Sequence, residues 1–233
     1  MVISVRDVII IGAGGHAVSV AETVLASGLR IRAFVSESPG TAEVLGIPVV
    51  TPDSHPEQDS STLVVLAIGD NPQRERVWKR YVGIVGEDRF PAVIHPSASV
   101  SSLAIVAPGT VILQGAIVGS AAHVGHACLI NTGAVLDHES VLQDYASLAP
   151  GAVTGGRVRI GTRSAISIGA VLTHGISVGP DTVIGASSLV HRDIPGNVVA
   201  YGTPARVVRP REATDPYLTS GTTTTADQEQ AHA

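Results

Sequence analysis

From Ile94 to Val190 the chain carries an aliphatic side chain at every sixth residue. Stepping by six reaches seventeen positions, and only Thr154 is not aliphatic. Two residues before each stands a mostly small residue, as at Ala98, Ala104, Thr110 and Ala116, with Val158 and Ile176 the bulky exceptions. Glycine often follows the aliphatic residue, as at Gly119, Gly125, Gly161, Gly179 and Gly185. An unbroken six-residue period predicts a β-helix of hexapeptide repeats, in which each hexad makes one short strand and one turn. Three hexads make one triangular coil, the aliphatic residue points inward, and coils stack at about 4.8 Å. The phase is uninterrupted, so no large loop is expected along the shaft. The segment Val198 to Val208 is expected to cap one end of the prism, and the N-terminal region the other.

The first 90 residues have a different texture. The apolar run Val8–Ile11 is followed by the glycine turn Gly12-Ala-Gly-Gly-His16 and by helical spacing over Ala17–Leu25. Strand-like runs recur at Ile31–Val35 and Leu63–Ile68, and Pro72–Tyr81 reads as a helix. Such alternation predicts a small α/β, Rossmann-like unit with a parallel sheet. Free N–H groups at a glycine turn opening a helix suit a phosphate, although such a turn can equally be only a turn. The turn lacks the third glycine of the dinucleotide fingerprint, which points to a different phosphate-bearing ligand. The chain therefore divides into an α/β unit (1–90), a β-helix (91–210) and a Thr-, Ala- and Gln-rich tail (211–233) expected to be disordered.

Composition sharpens this picture. Hydrophobic residues make up 44% of the chain but aromatic residues only 3%, which suits a narrow prism without room for rings. A net charge of −5 without a basic run argues against nucleic acid as a partner. No apolar stretch is long enough to span a membrane, and the N-terminal run is too short and too charged for a signal peptide. The lone Cys128 cannot form an internal disulfide, which fits a cytoplasmic location, and its small inward position makes it core rather than nucleophile.

The chemistry is expected on the shaft. His138, between Asp137 and Glu139, faces outward beside carboxylates that can orient an imidazole and raise its basicity. Acyl transfer needs such a base, and a surface histidine in a polar corner is the alternative. One coil on lies Gly156, whose backbone N–H is placed to meet an oxyanion. Two coils on, roughly 10 Å from His138, lies His174. His126 and His138, twelve residues apart, fall on different faces, so no metal site is expected from them with His123.

These features together resemble a known family. Ile11-Gly-Ala-Gly-Gly-His16, Ala67-Ile-Gly-Asp-Asn71, the hexads, Asn131-Thr to Glu139 and Gly202-Thr-Pro-Ala-Arg206 are similar to the bacterial sugar acetyltransferases. That group comprises sialic-acid O-acetyltransferases and nucleotide-linked 4-amino-sugar N-acetyltransferases. The resemblance implies a left-handed β-helix, a homotrimer with active sites between subunits, and acetyl-CoA as donor. It implies His138 as base, Glu139 as its partner and Asn131 beside the acceptor. Gly12, Gly14, Gly15 and His16 would contact a nucleotide-sugar, and Gly156, Ile168 and Ala186 would line the CoA groove. The sequence departs from the family at Ser147, where a second histidine is common, and at Ser36, where an Asp usually ends the second strand; Ser36 keeps a hydrogen-bonding side chain. His174 stands where proline is frequent and reads best as a solvated surface residue. Three functions stay open on these grounds: N-acetylation of a nucleotide-linked amino-deoxysugar, O-acetylation of a sugar hydroxyl, and a non-catalytic ligand-binding trimer.

Overall fold

A computed structural model describes residues 6–54, 59 and 61–215. The α/β unit begins with β1 (Asp7–Ile11), α1 (Gly15–Ala26) and β2 (Arg30–Val35). It continues through β3 (Glu43–Val44), β4 (Ile47–Val50), β5 (Leu63–Leu66) and α2 (Asn71–Val85). The sheet order is β3-β4-β2-β1-β5, with β2 and β5 both parallel to β1. The antiparallel β3–β4 pair was not expected. Its strands are two and four residues long, and Pro48 interrupts any alternation, so no periodic signal marks it. α2 starts at an Asp70 N-cap, whose Oδ1 accepts the Gln73 N–H at 2.9 Å, with Pro72 in its first turn.

The remainder is a parallel β-helix of two-residue strands. Partners across adjacent coils are eighteen residues apart, as in Ile117↔Val135 and Leu129↔Ser147, which is three hexads per coil. The strands form three faces. Face I runs through Val93–Ile94, Val111–Ile112 and Leu129–Ile130 toward Val183–Ile184. Face II runs through Ser99–Val100, Ile117–Val118 and Val135–Leu136 toward Leu189–Val190. Face III runs through Ile105–Val106, His123–Val124 and Val141–Leu142 toward Ser177–Val178. The every-sixth residues from Ile112 to Val190 are buried in one continuous core. No ring lies in that core: Phe34, Trp78, Tyr81 and Phe90 are all in the first 90 residues.

From Gly109 to Ser187 each corner turns through a left-handed residue three positions after the inward one. All fourteen such positions from Gly109 to Ser187 have positive φ, and eight of them are not glycine. Conformational demand therefore left little trace in the sequence. The glycine immediately after the inward residue has another cause, close approach of the next coil. A Cβ on Gly119 would lie 2.6 Å from the His138 backbone nitrogen.

The far end is closed as expected. Val199 and Ala200 pair with Val183 and Ile184, and the chain returns antiparallel over Ala205–Pro210. The α/β unit does not close the near end. It lies along the flank, on face I, where the outward Val111, Leu129, Ser147 and Ala165 are buried. Outward positions on this face are apolar or small, so packing the α/β unit there removes apolar surface from water. α2 binds the adjoining corner: Asn71 Nδ2 donates to the Arg163 and Ser164 carbonyls, and Arg163 reaches Glu75 and Asp181. The tail expected to be disordered lies, from residue 216, outside the described residues. Before it, Arg211 is buried and donates to the Asp181 carbonyl.

Candidate active site

His138 stands on the corner between faces II and III, with its side chain half exposed. Its Nδ1 lies 3.0 Å from Glu139 Oε2. A carboxylate there accepts a hydrogen bond from Nδ1–H, keeps the proton on that nitrogen and leaves the Nε2 lone pair free. The backbone is held on both sides, because Glu139 N–H donates to the Ser120 carbonyl (2.8 Å) and Arg157 N–H to that of His138 (2.9 Å). Gly156 lies under the ring, as coil stacking predicts. A methyl group at residue 156 would occupy the space of imidazole Nε2, Cε1 and Cδ2. The Gly156 carbonyl accepts from Gly175 N–H, while its own N–H has no hydrogen-bond acceptor among the described residues. His138, Glu139 and Gly156 thus make one site, and the exposed His174 follows on the next coil of the column.

The structure does not bring the other expected shaft residues to it within one chain. Asn131, Ile168 and Ala186 stand on the corner between faces I and II, with Ile168 60% exposed and Ala186 exposed. Ile168 and Ala186 are stacked, the Ile168 carbonyl accepting from Ser187 N–H. Ser147 lies beneath the α/β unit on face I. His126 stands on the corner between faces III and I, beside Asp144 and Glu87. Among the described residues, no group of three metal-binding side chains converges. Cys128 is buried, its thiol pushed up to about 12, first by burial.

A second feature lies at the carboxyl edge of the α/β sheet, where ligands bind in open parallel sheets. A cleft of about 530 Å³ is lined by Gly12, Ser36, Glu37, Gln73, Arg76 and Arg80, among others. Gly12 is indispensable to its floor: φ is 114°, and a Cβ would lie 2.7 Å from the Ala67 carbonyl oxygen. Ser36 and Gly12 therefore share one site. Gly14 and Gly15 open α1 beside it with free space around them. Arg80 pairs with Glu37 across the mouth at 2.5 Å. Arg76 and Arg80, one helical turn apart on α2, were missed in the sequence; their spacing on the exposed side of Pro72–Tyr81 was the available signal. His16 turns inward, and burial, then the charge of Arg74, pushes its pKa down to about 4. It is a neutral side chain at neutral pH.

Arg74 was also missed. It is buried at the domain junction, where it donates to the carbonyls of Ala127, Ile68, Gly69 and Tyr145 and to Asn71 Oδ1. No helix among the described residues is long and apolar enough to cross a membrane.

Comparison with known proteins agrees with this arrangement. Residues 7–81 match the PglD N-terminal domain family. A solved variant of the GDP-perosamine N-acetyl transferase from Caulobacter crescentus, in complex with CoA and GDP-perosamine, is 33% identical. It covers 88% of this chain and 98% of its own, with a TM-score of 0.83. The acetyltransferase domain of PglB from Neisseria gonorrhoeae, in complex with acetyl coenzyme A, is 30% identical with the same TM-score, covering 88% of this chain and 100% of its own. The UDP-N-acetylbacillosamine N-acetyltransferase of Bacillus subtilis is 35% identical over 114 residues, 46% of this chain and 51% of that protein. The galactoside O-acetyltransferase of Escherichia coli is 57% identical over 35 residues, 17% of its length. The chain thus spans about half or less of these two curated relatives. A PglD-type α/β unit docked on a hexapeptide-repeat β-helix, matched over nearly the whole length of solved amino-sugar N-acetyltransferases, places the chain in the hexapeptide-repeat sugar acetyltransferase family.

Proposed function

We propose that the protein transfers an acetyl group from acetyl-CoA to the amino group of a nucleotide-linked amino-deoxysugar. The observation that carries this is the His138–Glu139 pair held over a bare Gly156 on an exposed corner. The attacking amine loses a proton to His138 Nε2 as its nitrogen bonds to the thioester carbon. Glu139 holds the proton on Nδ1 and steadies the imidazolium that forms. The oxyanion takes a hydrogen bond from the Gly156 N–H. Collapse of the tetrahedral intermediate breaks the C–S bond, and CoA leaves as the thiol with the proton from His138.

The acceptor's nucleotide occupies the cleft of Gly12, Ser36, Arg76 and Arg80, beside Gly14, Gly15 and the neutral His16. The two arginines offer cationic partners to a diphosphate. Ile168 and Ala186 line the pantetheine groove, and Asn131 adjoins the acceptor. The His138 corner is the prism edge opposite face I, the face that carries the α/β unit. One chain therefore keeps its cleft away from its own base, and a second chain is required to join them. Face II supplies the contact. It is bounded by the His138 corner on one side and the Ile168 corner on the other. Its outward residues include Ile117, Val153 and Val171, exposed by 43%, 36% and 43%. Cyclic packing on face II into a homotrimer brings one chain's base beside the next chain's groove. The buried single cysteine fits a cytoplasmic site of action.

The direct test is free-thiol release with acetyl-CoA and a 4-amino-sugar nucleotide. His138→Ala is expected to lose about 10²–10⁴-fold in kcat. Retention of most of the rate would remove the base assignment. The short match to galactoside O-acetyltransferases favours a second reading, O-acetylation of a sugar hydroxyl. Activity toward hydroxyl acceptors, with none toward amino-sugar nucleotides, would establish that reading instead.

A further inference from the structure

Thr154 is the single polar rung in the aliphatic column, and it lies one coil beyond Leu136, two residues from His138. It is buried. Elsewhere along the shaft, the N–H after each inward residue donates to the inward carbonyl of the next coil. Gly119 to Leu136, Asn131 to Leu148, Gln143 to Ile160 and Gly155 to Leu172 are examples, at 2.8 to 2.9 Å. At Asp137 that ladder bond is replaced. The Asp137 N–H donates to the Thr154 hydroxyl at 3.0 Å. The strand pairing shows the same break: Val135 pairs with Val153, but Leu136 and Thr154 do not pair, whereas on the far side Thr154 pairs with Leu172. The opening is local to the coil step that carries the imidazole.

We propose that Thr154 is a positioning residue for the catalytic histidine, substituting a side-chain acceptor for a backbone one beneath Asp137 and so setting how the 137–139 corner sits over Gly156. This inference rests on the reading of His138 as the base. The Thr154 hydroxyl fixes the Asp137 backbone; Asp137 Oδ1 in turn accepts the His138 N–H at 2.7 Å. The backbone of the base is therefore anchored from the core as well as from its neighbours, and the ring is set over the bare Cα of Gly156. An aliphatic residue at 154 removes the hydroxyl acceptor and leaves the Asp137 N–H to the backbone carbonyl, as on the thirteen other rungs that accept a ladder bond. A hydroxyl placed only for stability would do little here, because an aliphatic side chain fills a dry column better.

The test compares Thr154→Val and Thr154→Ser with His138→Ala in the full chain. T154V is expected to fold with an unchanged or higher melting temperature. Its kcat is expected to fall by about tenfold to a hundredfold, with KM for acetyl-CoA within about twofold, because misplacement of a reacting group acts on the chemical step. The acid limb of its pH–rate profile is expected to move, and T154S to restore most of the rate. Wild-type kcat and an unmoved profile in T154V, with H138A inactive, overturn the positioning role and leave the base intact. An active H138A overturns the base assignment itself. If T154V fails to fold, Thr154→Ala replaces it, since alanine removes the hydroxyl without adding bulk. An active T154A then overturns the proposal, and an inactive T154A beside an active T154S supports it.

Discussion

The imidazole of His138 is fixed through Nδ1 by Glu139 and from below by the bare Cα of Gly156. The second constraint gives a sharp prediction. In Gly156→Ala the new methyl meets the ring, which must rotate away from its present place. The backbone at residue 156 is not confined to a glycine-only conformation, so the fold tolerates the change. The expected outcome is a kcat lower by about a hundredfold with a melting temperature close to wild type, read by thiol release and circular dichroism. His16 gives a prediction on stability. Its folded pKa of about 4 lies below its ordinary value of 6.5, so the unfolded chain binds the extra proton first as pH falls. Stability is therefore full above about pH 6.5 and declines toward pH 4. Urea midpoints across that window are expected to fall with pH, and His16→Gln to flatten the slope. Neither the Gly156 contact nor the His16 burial was fully visible in the sequence. Eighteen-residue arithmetic placed Gly156 beside His138, but nothing in the glycine turn showed that His16 points inward toward Arg74.

Among the elements, legibility followed period. The hexads repeat one requirement, an aliphatic residue facing one axis, and seventeen repetitions outweigh local noise. The helices α1 and α2 and the strands β1, β2 and β5 were readable for the same reason on a smaller scale. The β3–β4 pair and the left-handed corners were not, since two-residue strands have no period and eight corner residues are not glycine. The docking of the α/β unit was misjudged because the cue is subtle. It consists of apolar or small outward residues on one face, Val111, Leu129, Ser147 and Ala165, and those types occur on the other faces too. What secures that docking is Arg74, whose guanidinium spans α2, the β5–α2 turn and two coils. An arginine in a helix otherwise rich in charge has no sequence mark of burial. Arg74→Met is expected to leave several carbonyls unpaired and to cost about 3 kcal/mol or more in urea unfolding. Loss of its charge is also expected to raise the His16 pKa, read by NMR titration, which separates an electrostatic from a packing effect.

For the whole molecule, the arrangement of corners decides where catalysis can occur. His138 stands on the edge opposite the α/β unit, and the Ile168–Ala186 column stands on the next edge, across face II. If the active site joins the His138 corner of one chain to the Ile168 corner of the next, two differently damaged chains must complement one another. His138→Ala abolishes the first corner and spares the second. Ile168→Asp places a charge in the groove of the second, at a largely exposed residue where folding is little affected, and spares the first. Each variant alone is expected to be nearly inactive. After co-unfolding and refolding at equal amounts, random cyclic assembly pairs an intact base with an intact groove at about a quarter of the interfaces, so activity should return to about a quarter of wild type. A site contained within one chain gives no recovery at any mixing ratio. A third variant, Val153→Glu on face II, is expected to lose activity and trimer mass together in light scattering, because it charges the exposed apolar surface proposed as the contact between chains. Recovery in the first mixture and its absence when both chains also carry Val153→Glu would tie catalysis to that face.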